Sequence, residues 1–289
     1  MERHVWVKKK EQLIAGLLLI TACIAVAGVL LIILFVFREG WPVLSKYGPF
    51  NLALGKEWDP TSREYGLLPL IIGSFYVTLT SLILGVPLGV GCAVFMAEIA
   101  PAWVNKLVRP AINLLAGIPS VVYGFFGLVV LVPALREIVG GIGFSLFAGG
   151  VILAVMILPT IISISEDSIQ AVPREYKEAS LALGATHWQT IYKVLLPAAK
   201  SGITAAVILG MGRAFGETMA VIMITGNTPI VPHSMFDPGP TLTGTIGQEW
   251  SYASGEHAQA LFAVGIFLFF FIIIINSLAL LFSQKRVTS

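Results

Sequence analysis

The sequence predicts an all-α, polytopic integral membrane protein with six transmembrane helices, and three observations carry that expectation. Of its 289 residues 56% are hydrophobic and only 12% are charged, where soluble domains carry about 25% charged residues. The apolar residues gather into six runs, most of them at or above the roughly 20 residues that a helix needs to cross hydrocarbon. The charges collect in the segments between those runs. A net charge of +2 is too small to argue for a nucleic-acid surface.

Residues 1–12 are basic, with Arg3, Lys8, Lys9 and Lys10, and lead into the first apolar run over 13–37. That run is too long for the core of a signal peptide and has no small-residue cleavage site, so it is expected to be retained as a span. Cys23 and Cys92 sit inside apolar runs and read as small buried hydrophobes, because two isolated cysteines offer no metal-ligand spacing. The loop over 38–68 holds Trp41 and Trp58, whose rings suit a membrane interface. The second span, 69–99, contains Gly85, Pro87, Gly89 and Gly91, breakers that a span tolerates where neighbouring helices pack closely. A polar connector over 101–109 precedes the third span, 111–135, with Gly117, Pro119, Gly124, Gly127 and Pro133. After a glycine-rich turn, the fourth span over 147–164 carries Pro159 and runs into Glu166 and Asp167, read as solvated or helix-linked charges.

The segment 173–197, PREYKEASLALGATHWQTIYKVLLP, is a polar island. Pro173 suits a helix start, Gly184 a left-handed helix stop, and Thr186 with Gln189 the spacing of a capping box, so two short helices are expected around Gly184. Neither arm is long enough to cross a bilayer. The fifth span, 198–224, is unlike the others in holding two ionisable residues, Arg213 and Glu217. A loop rich in Pro, Gly and Thr fills 226–257, where Thr241, Thr243 and Thr245 alternate; it fits either a path lining or binding-protein contact, or a re-entrant or surface loop. The sixth span, 258–282, is followed by Gln284, Lys285 and Arg286. One permease domain over 1–289 is expected, with both termini on one side.

Charge placement orients that topology. Of the 18 Lys and Arg residues, five (Arg38, Lys46, Lys56, Arg63, Arg136) fall opposite the polar island and Arg213 falls within a span, leaving 12 on the side of the island and the termini. The positive-inside rule then makes the island cytoplasmic. The four histidines, His4, His187, His233 and His257, are scattered and predict no metal site. No phosphate loop of the G-x-x-x-x-G-K-[ST] kind occurs, so the chain is not expected to hydrolyse ATP by that route.

Arg213 and Glu217 are four residues apart, which on a continuous helix places them on one face about 6 Å apart along the axis. Charge at membrane depth costs at least about 2.5–3.5 kcal/mol and marks either a structural pair or a water-filled path. Both readings stand at this level. On the path reading, the forked guanidinium of Arg213 binds an oxyanion, and Glu217 is tolerable beside it if Arg213 neutralises it or if the anion brings a proton, as phosphate does near neutral pH.

The island resembles the EAA motif of ABC importer permeases: Glu178, Ala179, Gly184, Leu196 and Pro197 match, whereas Ser180 and Val194 replace Ala and Ile. In that family the loop docks into a groove of the ATP-hydrolysing subunit. The strings GRAFGETMAV (212–221), GNTP (226–229) and GIPSVVYGFFG (117–127) resemble the PstC family of phosphate ABC importer permeases over essentially the whole chain. Part of the first string is shared with the partner permease family PstA; its continuation through Met219, Ala220 and Val221 favours PstC. The resemblance implies a type I importer permease (MetI-like) fold in the cell inner membrane and a phosphate path through Arg213 and Glu217. It also implies a PstA-like second permease, two PstB-like ATPase subunits that use the ATP and magnesium, a PstS-like extracytoplasmic phosphate-binding protein, and no cofactor or catalytic residue of the chain's own. The alternatives are another oxyanion, molybdate or sulfate, and a proton-coupled secondary transporter, against which the EAA-like hairpin counts. Glu178→Lys is expected to abolish co-purification of the ATPase while leaving the permease in the membrane, as read from a detergent extract probed for both.

Overall fold

A computed structural model describes the backbone of residues 2–284 and the side chains of Glu11 and residues 14–277. The side chains of Arg3, His4, Lys8, Lys9 and Lys10, and all of Lys285 and Arg286, lie outside the described residues. Helix α1, Glu2–Tyr47, is followed by α2, Pro49–Leu54, and a two-stranded ribbon of β1, Trp58–Asp59, and β2, Glu64–Tyr65. Helix α3, Leu68–Val94, ends in a π-helical turn, Phe95–Ile99; then come α4, Ala102–Gly117, and α5, Ser120–Phe126, which runs through a second such turn, Gly127–Leu131, into α6, Val132–Val139. Helix α7, Leu146–Gln170, leads to α8, Arg174–Ala182, and to α9, His187–Thr190, which continues through the π-helical turn Ile191–Leu195 into α10, Leu196–Ala198. Helices α11, Lys200–Gly216, α12, Met219–Ile224, α13, Leu242–Glu249, and α14, Glu256–Gln284, complete the order.

Among the described residues, five helical segments are long and apolar enough to cross a membrane: Ile14–Tyr47, Leu68–Ile99, Ser120–Val139, Leu146–Gln170 and Glu256–Ser277. A sixth is reached by joining His187–Ala198 to Lys200–Gly216 across a 69° bend. The expected third span, 111–135, is therefore divided. Ile118, preceding Pro119, is extended at φ −71°, ψ 127°, as a residue before proline prefers, so residues 111–117 belong with the connector in α4 and the spanning helix begins at Ser120. The expected fifth span, 198–224, is also divided, at Glu217 and Thr218. The fourth helix outruns its expected end at 164 by most of two turns and takes Glu166 and Asp167 into its last turns.

The centre of the chain is the contact between α3 and α7. Glycines bring the two backbones together: a Cβ added at Gly150 would lie 2.4 Å from the Thr80 Cβ, and one at Gly89 would lie 2.6 Å from Ile161 Cγ2. Val77, Leu146, Ile152, Ile157 and Ile161 fill this core, and Ala214, Ala220, Val221 and Ile224 extend it to α11 and α12. A second core forms where the end of α1 crosses α14, with Val43, Leu44, Leu261 and Val264 enclosing Trp58 and Tyr65 of the ribbon. Trp58 is thus 4% exposed rather than at a lipid interface, and its indole N–H donates to both Glu249 oxygens at 3.0 and 3.1 Å. Trp41 is exposed, as an interfacial residue would be. At the turn of the ribbon the Ser62 hydroxyl and the Thr61 N–H donate to Asp59 and hold its carboxyl below the usual range. Cys23, expected to be buried, is exposed on α1, because among the described residues α1 packs on the rest of the chain through its later part, from Phe35 to Tyr47; Cys92 is half-buried.

The close α3–α7 approach makes a test. Gly150→Val should lower thermal stability in detergent by about 1–3 kcal/mol, the usual cost of overpacking. Gly91→Ala, whose Cβ would have nothing within 4 Å, should leave the midpoint unchanged; equal midpoints for both variants would remove close packing as the basis of this core.

Candidate functional site

The polar island folds as its spacing predicts. Gly184 sits at φ +83°, in the left-handed region that glycine enters without a Cβ clash. Thr186 Oγ1 accepts from the Gln189 N–H at 3.3 Å while Gln189 Oε1 accepts from the Thr186 N–H at 2.9 Å, closing the capping box. Ser180, the departure from the EAA pattern, has its hydroxyl 3.0 Å from that of Thr190 on the facing arm, a crosslink that alanine could not make.

The two arms are held differently. The second is anchored by apolar burial, with Ile191, Leu195 and Ala199 packed against Ala93, Val94 and Ile169 of α3 and α7. Arm α8 buries no residue. Glu178 and Ala179 on it, Gly184 at the tip and Pro197 beyond are exposed, and Leu196 is half-buried. Around them stand large exposed side chains, Tyr176, Leu183, Trp188 and Tyr192, with Leu183 90% exposed. An apolar set of this kind among charges is the composition of a protein-docking surface.

Arg213 and Glu217 are not on one helical face. Helix α11 ends at Gly216, and Glu217 is extended at φ −71°, ψ 130°. Its Oε1 accepts from the Ala220 N–H at 3.2 Å, capping the start of α12, while its carbonyl accepts from the Thr243 hydroxyl at 2.8 Å. Among the described residues no ion pair joins Arg213 to Glu217. Both are half-exposed, and the guanidinium lies within electrostatic range of Tyr123. The Tyr123 hydroxyl donates to the Leu115 carbonyl at 2.8 Å, across the α4–α5 break. Arg213 therefore lies one turn before the α11–α12 break and within electrostatic range of the tyrosine that spans the α4–α5 break, and broken backbone at membrane depth is tolerated only inside protein or beside a water-filled cavity.

The threonine alternation has a structural use that periodicity did not reveal. Thr241, Thr243 and Thr245 are all buried, so none is presented to a partner at the surface. Thr241 caps α13 by accepting from the Gly244 N–H at 3.1 Å, and Ser74 on α3 accepts from the Leu242 N–H at 2.9 Å. With Thr243 on Glu217, α13 wedges between α3 and the α11–α12 break. Beyond α12, Gly226 and Asn227 both have positive φ, and Asn227 Nδ2 donates to the Ile222 carbonyl at 2.7 Å, closing the helix end.

Of its two expected readings, Glu166 takes the helix-linked one and not the solvated one. It is 3% exposed, accepts from Arg109 and from Gln170 Nε2 at 2.9 Å, and so ties α4 to α7. Glu166, Arg109 and Gln170 line an open cavity of about 760 Å³ with Asn105, Lys106 and Asn113. Glu98 was also unmarked in the sequence; it lies at the end of α3, paired with Lys177. The one available signal was that it is the lone acid in the second apolar run.

Residues 85–288 match the family model described as binding-protein-dependent transport system inner membrane component. The chain is 44% identical to the probable ABC transporter permease protein YqgH of Bacillus subtilis (strain 168), over 99% of this chain and 96% of that one. It is 34% identical to the phosphate transport system permease protein PstC of Pasteurella multocida (strain Pm70), over 85% of this chain and 82% of that one. The PstC of Mesorhizobium japonicum (strain LMG 29417 / CECT 9101 / MAFF 303099) is 35% identical, over 84% and 80%. Among solved structures, a chain of a bacterial alginate ABC transporter in complex with its alginate-bound periplasmic protein superimposes with a TM-score of 0.62 at 18% identity, covering 97% of each. A chain of the inward-facing MetNI methionine ABC transporter does so at 0.57 and 23% identity, covering 80% of this chain and all of that one; both likenesses speak for the fold. The chain therefore belongs to the family of binding-protein-dependent transport system inner membrane components, as a multi-pass permease subunit of an ABC importer.

Proposed function

We propose that the chain is one of two permease halves of an ATP-driven importer for inorganic phosphate, with the α8–α10 hairpin and both termini in the cytoplasm. The observation that carries this is Arg213: an always-charged fork, unpaired with Glu217 and half-exposed in the last turn before the α11–α12 break. A guanidinium in that setting offers donors to a tetrahedral oxyanion. Glu217 directs one oxygen to the Ala220 N–H, so its charge is partly spent on the α12 start and opposes a passing anion less than a free carboxylate would. Phosphate, unlike sulfate or molybdate, also carries a proton near neutral pH through which it can donate a hydrogen bond to such a carboxylate. The names of the PstC relatives support the same cargo.

On this reading a PstA-like subunit completes the path, and a PstS-like protein delivers phosphate on the ribbon side. Two PstB-like ATPases bind ATP and magnesium and grip the hairpins through Glu178, Ala179 and Gly184, with Leu196 and Pro197 closing the motif. Closure of the ATPases moves the hairpin, tilts α3 and α7 and turns the Arg213 path from one side to the other, an alternating-access cycle.

Radiolabelled phosphate uptake tests this in cells lacking their own high-affinity importer and supplied with the partner subunits. The natural chain should restore uptake, and arsenate should compete where molybdate does not. Arg213→Gln, at equal membrane level and assembly, should lower uptake about tenfold or more, matching the loss of about 1.5–3 kcal/mol of charge-assisted hydrogen bonding. Equal uptake by both forms would make Arg213 a structural residue, and competition by molybdate instead of arsenate would change the cargo.

A further inference from the structure

Arm α8 carries Glu178, the residue expected at the ATPase, yet it buries no side chain and packs chiefly on the other arm of its own hairpin. Force applied to α8 needs a route to the spans. The polar route in the structure is Lys177: its Nζ pairs with Glu98 Oε2, and His187 Nε2 of the second arm stands 3.7 Å from the same oxygen. The Glu98 side chain is 11% exposed and the Lys177 side chain 36%, so the pair is shielded enough to resist screening better than a surface pair.

The backbone around Glu98 is also unusual. It lies in the π-helical turn Phe95–Ile99, where the Ala100 N–H reaches back to the Phe95 carbonyl. The facing arm holds a second π-helical turn, Ile191–Leu195. Such turns are wider than α-helix and recur where helices must change register or carry function. The apolar anchor of the second arm and the ionic tie of the first thus meet the same end of α3, one from Ala93 and Val94 and the other from Glu98.

We propose that Glu98 is a coupling residue of the transport cycle: through Lys177, with His187 beside it, it transmits displacement of the docking arm α8 into span α3. The proposal rests on the hairpin being the ATPase-docking element. It assigns Glu98 a positioning role, acting through Lys177 and not on the cargo, and it distinguishes the two arms: the second holds the hairpin in place, and the first moves the span.

The test uses the complete reconstituted complex, with permeases, ATPases and binding protein. Glu98→Gln should leave assembly and ATP hydrolysis near the natural level while phosphate moved per ATP falls about five- to tenfold, within the usual range of a coupling free energy. The exchanged pair, Glu98→Lys with Lys177→Glu, should recover most of the ratio, which a loss of packing would not. A cargo-independent arm places spin labels at Ile83 on α3 and Ile274 on α14, both exposed. In the natural chain their separation should change between the nucleotide-free and ATP–vanadate states, and Glu98→Gln should abolish that change. If the natural complex moves no phosphate but its label distance responds to nucleotide and the variant's does not, the cargo reading falls and the coupling role stands. An unchanged transport ratio in Glu98→Gln, loss of ATPase association, no rescue by the exchanged pair, or a label distance indifferent to nucleotide in the natural chain would each overturn it.

Discussion

Lipid tails are as apolar as leucine, so the α3–α7 contact on which the other elements rest cannot be driven within the bilayer by removing apolar surface from water. It is held by close approach. Gly150 lets α7 approach Thr80, and Gly85 and Gly89 receive Ile157 and Ile161. Because the two backbones touch over much of their length, they behave as one rigid piece, on which α11, α12 and α13 are laid. The α8–α10 hairpin is attached to the same piece through Ile191 and Leu195.

Against that rigid pair, irregular backbone is concentrated in two places. They are the α4–α5 break at Ile118 and Pro119 and the α11–α12 break at Glu217 and Thr218, the latter just beyond Arg213. Each has its exposed polar groups provided for. Tyr123 spans the first break to the Leu115 carbonyl; Thr243 and the Glu217 carboxylate serve the second. A continuous helix would hide its backbone and offer only side chains. At each break side chains thus take up backbone groups that the helix no longer pairs.

Helix α11 joins the hairpin to the α11–α12 break. Helix α11 rises from the hairpin end at Lys200 toward Arg213, which by helical rise lies roughly 20 Å further along. Helix α3 begins near the ribbon and α13, where Ser74 meets Leu242, and ends at Glu98 beside Lys177. A displacement at the hairpin therefore has two rigid helices along which to reach the break, and neither route crosses flexible chain.

Composition and run length determined the class of this protein: 12% charge and six apolar runs leave a polytopic helical membrane protein as the economical solution. Local rules also determined the hairpin, because a capping box, a left-handed glycine and the EAA spacing act within a few residues and need no distant partner. Where an outcome depended on distant partners, the local pattern misled. Residues 111–135 and 198–224 are each apolar enough for one span. Pro119 breaks the first, and the second breaks where α13 and Thr243 meet Glu217. Trp58 looked interfacial until Glu249, 191 residues away, took its N–H, and Glu166 read equally as solvated or helix-linked until Arg109, 57 residues away, tied it to α4. The sequence alone thus marked Arg213 and Glu217 as ionisable groups at membrane depth. Only the tertiary structure decided that a break separates them, because a hydrogen bond from Thr243 and a cap on Ala220 satisfy backbone groups that a helix would otherwise have had to pair within itself.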